Sequence, residues 1–361
     1  MAITKIPVDR FLELAKEHPV LDVRSPGEYE HAHIPGAVSL PLFSDEERKL
    51  VGTAYKQQSR EVAIKLGLDF FGVKMRPMVE QVEALVQSRA KQTDTGSRTV
   101  LVHCWRGGMR SAAIAWLLDI YGFKVYTLVG GYKSYRRYVL DSFAIPFSFK
   151  IIGGYTGSGK TGLLKALKEK GEPVVDLEEI AKHKGSAFGN IGMPVQPGQE
   201  MFENLLSKEL LSLISANGPA TTPVWVEDEA QRIGLVNLPN EIWKTMRQAP
   251  VFFLDIPFEE RLEQIVQEYG SLDQEKMIAA IGRISEKLGH LNAKNAGLLL
   301  KEGKTGESFG ILLRYYDKYY LRSLHNRERV NSLLQTIECK SITLENADLL
   351  IHVADLQGQK H

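Results

Sequence analysis

The sequence predicts an α/β protein of two units, each built on a mostly parallel sheet. Three observations carry this. Apolar runs of strand length alternate with segments of helical periodicity, the order expected of βαβ units. The alternation stops near residues 144–147, where Pro146 interrupts it, and then restarts. A length of 361 residues also exceeds what one core of about 150 residues holds.

In the first unit, residues 8–17 follow Pro7 as a helix and residues 19–24 form a buried strand. A strand at 99–104 runs into a loop holding Gly107 and Gly108. A helix from Arg110 follows, ended by Gly122 at a C-cap position. A strand at 124–129, the pair Gly130-Gly131 and a basic aromatic helix complete the unit. Residues 43–98 are polar and helical in tendency and resemble an insertion. In the second unit a strand at 148–153 precedes a helix from Lys160 that ends at Gly171. Further strands are expected at 173–176, 223–227 and 250–255, with a helical C-terminal portion. The expected domains are residues 1–145 and 146–361.

Composition narrows the function classes. With 43% hydrophobic and 25% charged residues the chain is neither disordered nor fibrous. No apolar run approaches the roughly 18 residues of a membrane span, and the start, MAITKIPVDRF, lacks the pattern of a secretory leader. A cytoplasmic protein without a membrane partner is expected. Two cysteines, Cys104 and Cys339, cannot form a disulfide framework, and no spacing suggests structural zinc. The net charge of +1 hides a split: residues 1–147 carry 20 Lys and Arg against 16 Asp and Glu, and the remainder 25 against 28. That excludes a globally basic nucleic-acid binder but allows a local basic face.

Cys104-Trp-Arg-Gly-Gly-Met-Arg110 places a cysteine at a strand end, before a glycine loop and a helix N-terminus. Such a loop turns amide hydrogens inward and cradles an anion. The same field, with Arg106 and Arg110, favours the thiolate, so these three are the expected catalytic residues. Cys339 has no such surroundings and reads as structural.

Gly154-Tyr-Thr-Gly157-Ser158-Gly159-Lys160-Thr161 fits G-x-x-x-x-G-K-[ST] between a strand and a helix. Its amides and Lys160 suit a β- or terminal phosphate, and the Thr161 hydroxyl suits Mg²⁺. Asp176, or Glu227-Asp228-Glu229, each near a strand end, could hold Mg²⁺-bound water or orient a nucleophile. The motif indicates a diphosphate or triphosphate without specifying ATP.

Residues 311–329 are basic and aromatic. Arg314, Lys318 and Arg322 recur every fourth residue and share a helical face, with Tyr315 and other tyrosines between them. Cations pair with phosphates and tyrosine rings stack on unpaired bases, so this segment is a candidate RNA surface. The set Lys133, Arg136 and Arg137, close after the cysteine loop, is a second one.

Asp22-Val-Arg24, Glu28-Tyr29, His33-Ile-Pro-Gly-Ala37 and Leu128-Val-Gly-Gly131 resemble the signature of the rhodanese family over most of residues 5–140. That resemblance implies a persulfide, or its selenium analogue, on Cys104. Ala32 stands where that family usually has glycine. Five residues separate Cys104 from Arg110, where its sulfurtransferases usually have four. The longer loop is similar to that of related phosphatases and suits a phosphorylated donor.

A rhodanese-like unit followed by a P-loop unit resembles the bacterial tRNA 2-selenouridine synthases. The resemblance also rests on His183-Lys-Gly-Ser-Ala-Phe-Gly189, Val226-Glu-Asp-Glu229 and Tyr315-Tyr-Asp-Lys318. It implies a fold of a rhodanese-like parallel sheet followed by a P-loop NTPase-like α/β domain. It implies S-geranylation of wobble 2-thiouridine in tRNAs for lysine, glutamate and glutamine, with geranyl diphosphate, then replacement of the S-geranyl group by selenium from selenophosphate. The implied co-substrates are thus selenophosphate and geranyl diphosphate, with Mg²⁺ as an added ion. The implied partners are the tRNA anticodon stem-loop and a selenophosphate synthase. An ATP-dependent tRNA sulfurtransferase or a kinase-type P-loop enzyme is the alternative.

Overall fold

The computed structural model describes residues 3–93, 98–214 and 223–358. The chain divides into two compact units, Met1–Ser142 and Phe143–His361.

The first unit begins with β1 (Thr4–Ile6), α1 (Val8–Leu14), β2 (Val20–Asp22), α2 (Pro26–His31) and β3 (Val38–Ser39). Three helices follow, α3 (Asp45–Gln57), α4 (Arg60–Gly72) and α5 (Met75–Thr93), then β4 (Thr99–His103), α6 (Met109–Ile120), β5 (Lys124–Leu128) and α7 (Gly131–Ser142). Among the described residues the sheet is parallel with order β1-β5-β4-β2-β3. Every residue of β4 is buried, as a central strand covered on both faces requires. A central strand in a parallel sheet directs its C-terminal end, and so Cys104, to the edge where ligands of such folds bind.

The insertion is more than a polar appendage. α3 starts with a capping box in which the Ser44 hydroxyl accepts the Glu47 amide at 3.2 Å and Glu47 accepts the Ser44 amide at 2.8 Å. Phe43, Phe71, Met78, Val79 and Val82 join the same core as β2, β4 and α6. Polar spacing along these helices marks only their outer faces.

The second unit runs β6 (Phe149–Gly154), α8 (Lys160–Glu169), α9 (Leu177–Ala181), α10 (Gln199–Ser212), β7 (Val224–Glu227), the hairpin β8 (Arg232–Ile233) and β9 (Val236–Asn237), and α11 (Asn240–Gln248). It continues with β10 (Val251–Asp255), α12 (Phe258–Tyr269), α13 (Gln274–Arg283), α14 (Ser285–Leu288), α15 (His290–Lys301) and α16 (Thr305–His325). α17 (Val330–Leu333), β11 (Leu334–Glu338) and α18 (Asn346–Gly358) close it. Among the described residues the sheet is parallel with order β11-β10-β6-β7.

One expected strand is corrected here. Residues 173–176 form no strand beyond a single bridge between Val174 and Trp225, because Asp176 turns the chain as the N-cap of α9 and accepts the Glu179 amide at 2.8 Å. The C-terminal portion is helical as expected, α12 to α18 making up most of it, and β11 within it completes an edge of the sheet; the short, half-exposed LQTIE run gives little period-2 signal. Helix 311–329 begins earlier, at Thr305, and ends at His325.

Candidate functional site

The cysteine loop is shaped by a glycine within it and by another at the start of α7. Gly107 has φ +65° and Gly131 has φ +60°, and a Cβ on Gly131 would lie 2.4 Å from the Cys104 carbonyl oxygen. The start of α7 therefore closes directly on the loop, with the Tyr132 amide donating to Cys104 O at 2.8 Å and the Lys133 amide to Trp105 O at 3.0 Å. Below it, Arg24 grips Asp22 through side-chain hydrogen bonds of 2.9, 3.0 and 2.6 Å, with its guanidinium 3.8 Å from the Tyr132 ring centroid. The Asp22-Val-Arg24 signature is thus a buried brace under the loop.

Cys104 is 3% exposed, and its sulfur lies 3.2 Å from the Ser111 hydroxyl. Burial pushes this thiol up. The Ser111 hydroxyl, the amides of Ser111 and Arg106 and the charge of Arg110 outweigh burial and hold it below the ordinary thiol range. Arg106 acts on the sulfur through its backbone amide, while its side chain is exposed. Arg110 is not fully free for an anion, because its Nη1 donates to Glu28 at 2.7 Å. Burial raises the Glu28 carboxyl, and Arg110, the Ser25 amide and Arg48 more than reverse this, bringing it to about 2. Lys133 and Arg137 are exposed on α7 and Arg136 is half-buried.

In the phosphate loop, Gly154, Gly157 and Gly159 have φ of +152°, +82° and +71°. Side chains are excluded at the last two for local reasons: a Cβ on Gly157 would meet Ile265 at 2.8 Å and one on Gly159 would meet Ile342 at 2.5 Å. Ser158 is buried and donates to Tyr155 O at 2.6 Å. Lys160 lies back over the loop, its Nζ donating to Gly154 O at 3.0 Å and Tyr155 O at 3.3 Å. Thr161 donates to Glu178 at 3.3 Å.

The acidic group differs from the expected one. Carboxylate oxygens of Glu178, Glu227 and Glu229 lie within 4.8 Å of one another. Asp228 points elsewhere: one oxygen is ion-paired to Arg327 and the other accepts the Tyr320 hydroxyl at 2.8 Å. Alternation along the chain after β7 explains this, since neighbours on an extended segment face opposite ways. Asp176 adjoins the cluster but spends an oxygen capping α9. Glu178, in the first turn of that short helix, carried no sequence signal beyond its neighbourhood. Burial and the neighbouring carboxylates raise Glu227 well above the ordinary carboxylate range, with Lys160 opposing. Glu227 Oε1 is buried without a hydrogen-bond partner. A divalent cation fits that donor set, with Thr161 as a further oxygen.

Helix α16 has two working faces. Inward, Asp317 takes two hydrogen bonds of 2.9 Å from Arg261, which also donates to Thr156 O at 3.1 Å. Tyr320 accepts the Gly154 amide at 3.1 Å. Outward, Arg314, Lys318 and Arg322 are exposed and line a groove with Tyr315 and Tyr319. Sequence reading located the outer cations; the inward contacts of Asp317 and Tyr320 to the phosphate loop were not visible in it. Among the described residues no helix is long and apolar enough to cross a membrane.

Comparison with known proteins agrees with both halves. Residues 8–138 match the rhodanese-like domain and residues 147–302 match the tRNA 2-selenouridine synthase AAA domain. The tRNA 2-selenouridine synthase of Bdellovibrio bacteriovorus is 37% identical over 275 residues, covering 74% of this chain and 69% of that protein. Those of Nitrosomonas eutropha and Aeromonas salmonicida are each 33% identical and cover 86% of this chain and 89% of theirs. The expected two-part architecture is borne out. With relatives aligned along most of its length and a family match in each half, the chain belongs to the tRNA 2-selenouridine synthase family.

Proposed function

We propose that this protein is a tRNA-modifying enzyme that converts wobble 2-thiouridine to 2-selenouridine in two stages. The name shared by its relatives supports the overall conversion. The two anion-binding loops, one with a thiol and one with a lysine, support the division into stages. In the first, the phosphate loop holds the diphosphate of geranyl diphosphate, the thiocarbonyl sulfur attacks the allylic carbon, and pyrophosphate leaves toward Lys160 and the loop amides. Glu178, Glu227, Glu229 and Thr161 would hold Mg²⁺, whose chemistry here is neutralising the departing pyrophosphate.

S-alkylation turns sulfur at C2 into a leaving group. In the second stage selenophosphate binds the wide loop at Cys104, with Arg106 and Arg110 neutralising its phosphate. Selenium then replaces the S-geranyl group, which departs as geranylthiol. If Cys104 carries the selenium as a selenyl sulfide, which stands two electrons above selenide, loading consumes a small-molecule disulfide, reduced to two thiols, and delivery consumes two thiols, oxidised back to a disulfide while the Cys104 thiol is regenerated. Direct attack by the bound selenophosphate, with phosphate released to water, needs neither; loss of the thiol separates the two routes. A selenophosphate synthase is the natural donor partner.

The observation that carries this reading is the activated, hydrogen-bonded Cys104 at the mouth of an anion cradle. Mass spectrometry of wobble nucleosides, after incubating the protein with 2-thiouridine tRNA and each donor separately, tests it. S-geranyl-2-thiouridine with the first donor and 2-selenouridine only with both are expected. ATP turnover stimulated by tRNA, with neither product formed, would favour the kinase or sulfurtransferase reading.

A further inference from the structure

The outer face of α16 borders a cavity of about 420 Å³. Four cations line it, Lys287 from α14 on one wall and Arg314, Lys318 and Arg322 on the other, and no acidic residue does. Among the described residues none of the four is salt-bridged. A cleft lined by one sign of charge raises the local concentration of anions and steers them to it. Between the cations, the Tyr315 and Tyr319 rings lie 4.7 Å apart, and Tyr319 remains 39% exposed. The Arg322 guanidinium sits 5.7 Å from the Tyr319 ring.

The register of this face is locked from behind. Asp317 on Arg261 and Tyr320 on Gly154 hold the opposite side of the helix against the phosphate loop, so the cations cannot rotate inward. Residues four apart on a helix rise by about 6 Å, comparable to the spacing of successive phosphates on a single nucleic-acid strand. An acidic peptide would satisfy the cations but offers no flat face for the tyrosines. A duplex offers phosphates but hides its base faces in the stack.

We propose that this groove seats an unpaired stretch of the RNA substrate, with successive phosphates on Arg314, Lys318 and Arg322 and a splayed base against Tyr319. The proposal rests on the reading of the chain as a tRNA-modifying enzyme. It adds where the RNA lies, and gives Lys287 the task of closing the groove from the far wall.

The test is fluorescence anisotropy of the full chain with an anticodon stem-loop RNA, an RNA duplex of equal length and a poly-glutamate peptide, at several salt concentrations. The triple variant Arg314→Ala, Lys318→Ala, Arg322→Ala is expected to bind the stem-loop on the order of 100-fold more weakly at low salt, with a salt slope flatter by about 2, or about 0.7 per lost contact on a single strand. Tyr319→Leu is expected to weaken stem-loop binding about tenfold at every salt concentration, with unchanged melting. An unchanged slope in the triple variant, equal affinity for duplex and stem-loop, or tighter binding of the peptide would each overturn the proposal. A Tyr319→Leu protein that melts earlier yet binds normally would overturn the stacking contact. Modification assays on the same RNA keep the two readings apart: wild-type turnover with a triple variant of normal affinity overturns the groove alone. Absent turnover with weakened variant binding overturns the proposed reaction and supports the groove.

Discussion

The Tyr320 hydroxyl, far along α16, accepts the amide hydrogen of Gly154 at the first turn of the phosphate loop, at 3.1 Å. The same hydroxyl donates to Asp228 at 2.8 Å, and Asp228 is ion-paired with the buried Arg327. One phenol thus ties the loop to the strand end and to the chain beyond the helix. Burial and the neighbouring Asp228 keep this phenol neutral, with its pKa well above the ordinary tyrosine range.

Tyr320→Phe should leave the Gly154 amide without its acceptor and remove one donor from Asp228. A loss of about 1–3 kcal/mol in folding stability is expected, as for other buried groups left unsatisfied. Pyrophosphate affinity, read by calorimetry, should fall with it, whereas selenation of previously geranylated tRNA should not.

Cys104→Ser should abolish selenium incorporation while geranylation persists, because the alkyl donor needs no thiol. Retained 2-selenouridine formation would exclude the carrier role and leave the direct route. In the unaltered protein the thiol's alkylation rate by a small reagent should rise with pH through a midpoint lower than that of an ordinary thiol. Ser111→Ala should move that midpoint up.

Glu28 ties acid stability to the cysteine loop. Its carboxyl falls from the ordinary range to about 2 in the folded protein, so its stabilisation is fully present above the unfolded pKa of about 4.3. It is lost as pH falls from there toward 2. Melting temperature should therefore decline more steeply over that window in the wild type than in Glu28→Gln. The variant also frees Arg110 from its 2.7 Å partner.

Under the proposed reaction, Lys160→Ala weakens diphosphate binding and slows geranylation, since it removes the cation proposed to meet the departing pyrophosphate. Given tRNA already geranylated, the variant should still form 2-selenouridine. Equal losses in both half-reactions would show that one loop serves both.

Glu227 carries a raised pKa, so its contribution to stability diminishes as pH rises from its unfolded value toward its folded one. Glu227→Gln should hence be as stable as the wild type or more so near neutral pH without added metal. Added Mg²⁺ should raise the melting temperature of the wild type and have much less effect on the variant. An identical Mg²⁺ response in both would remove this carboxylate from the cation site.

Local patterns carried most of what the sequence determined. A cysteine between an apolar strand and a glycine turn, and the G-x-x-x-x-G-K-T spacing, are legible because each is one continuous segment whose backbone does the binding. The helical face of Arg314, Lys318 and Arg322 follows from periodicity alone. The tertiary structure decided which side chains converge from distant segments. Glu178 reaches Glu227 and Glu229 only because Asp176 stops its segment as a helix cap instead of extending the strand. Asp228, one residue from the cluster, faces away to Arg327, a partner 99 residues on that no local pattern could supply. Arg110 and Glu28, 82 residues apart, meet because parallel strands bring their loops to one sheet edge. The physical reason is common to all three: spacing fixes what one segment presents, whereas burial and charge pairing between segments depend on how the sheet orders them.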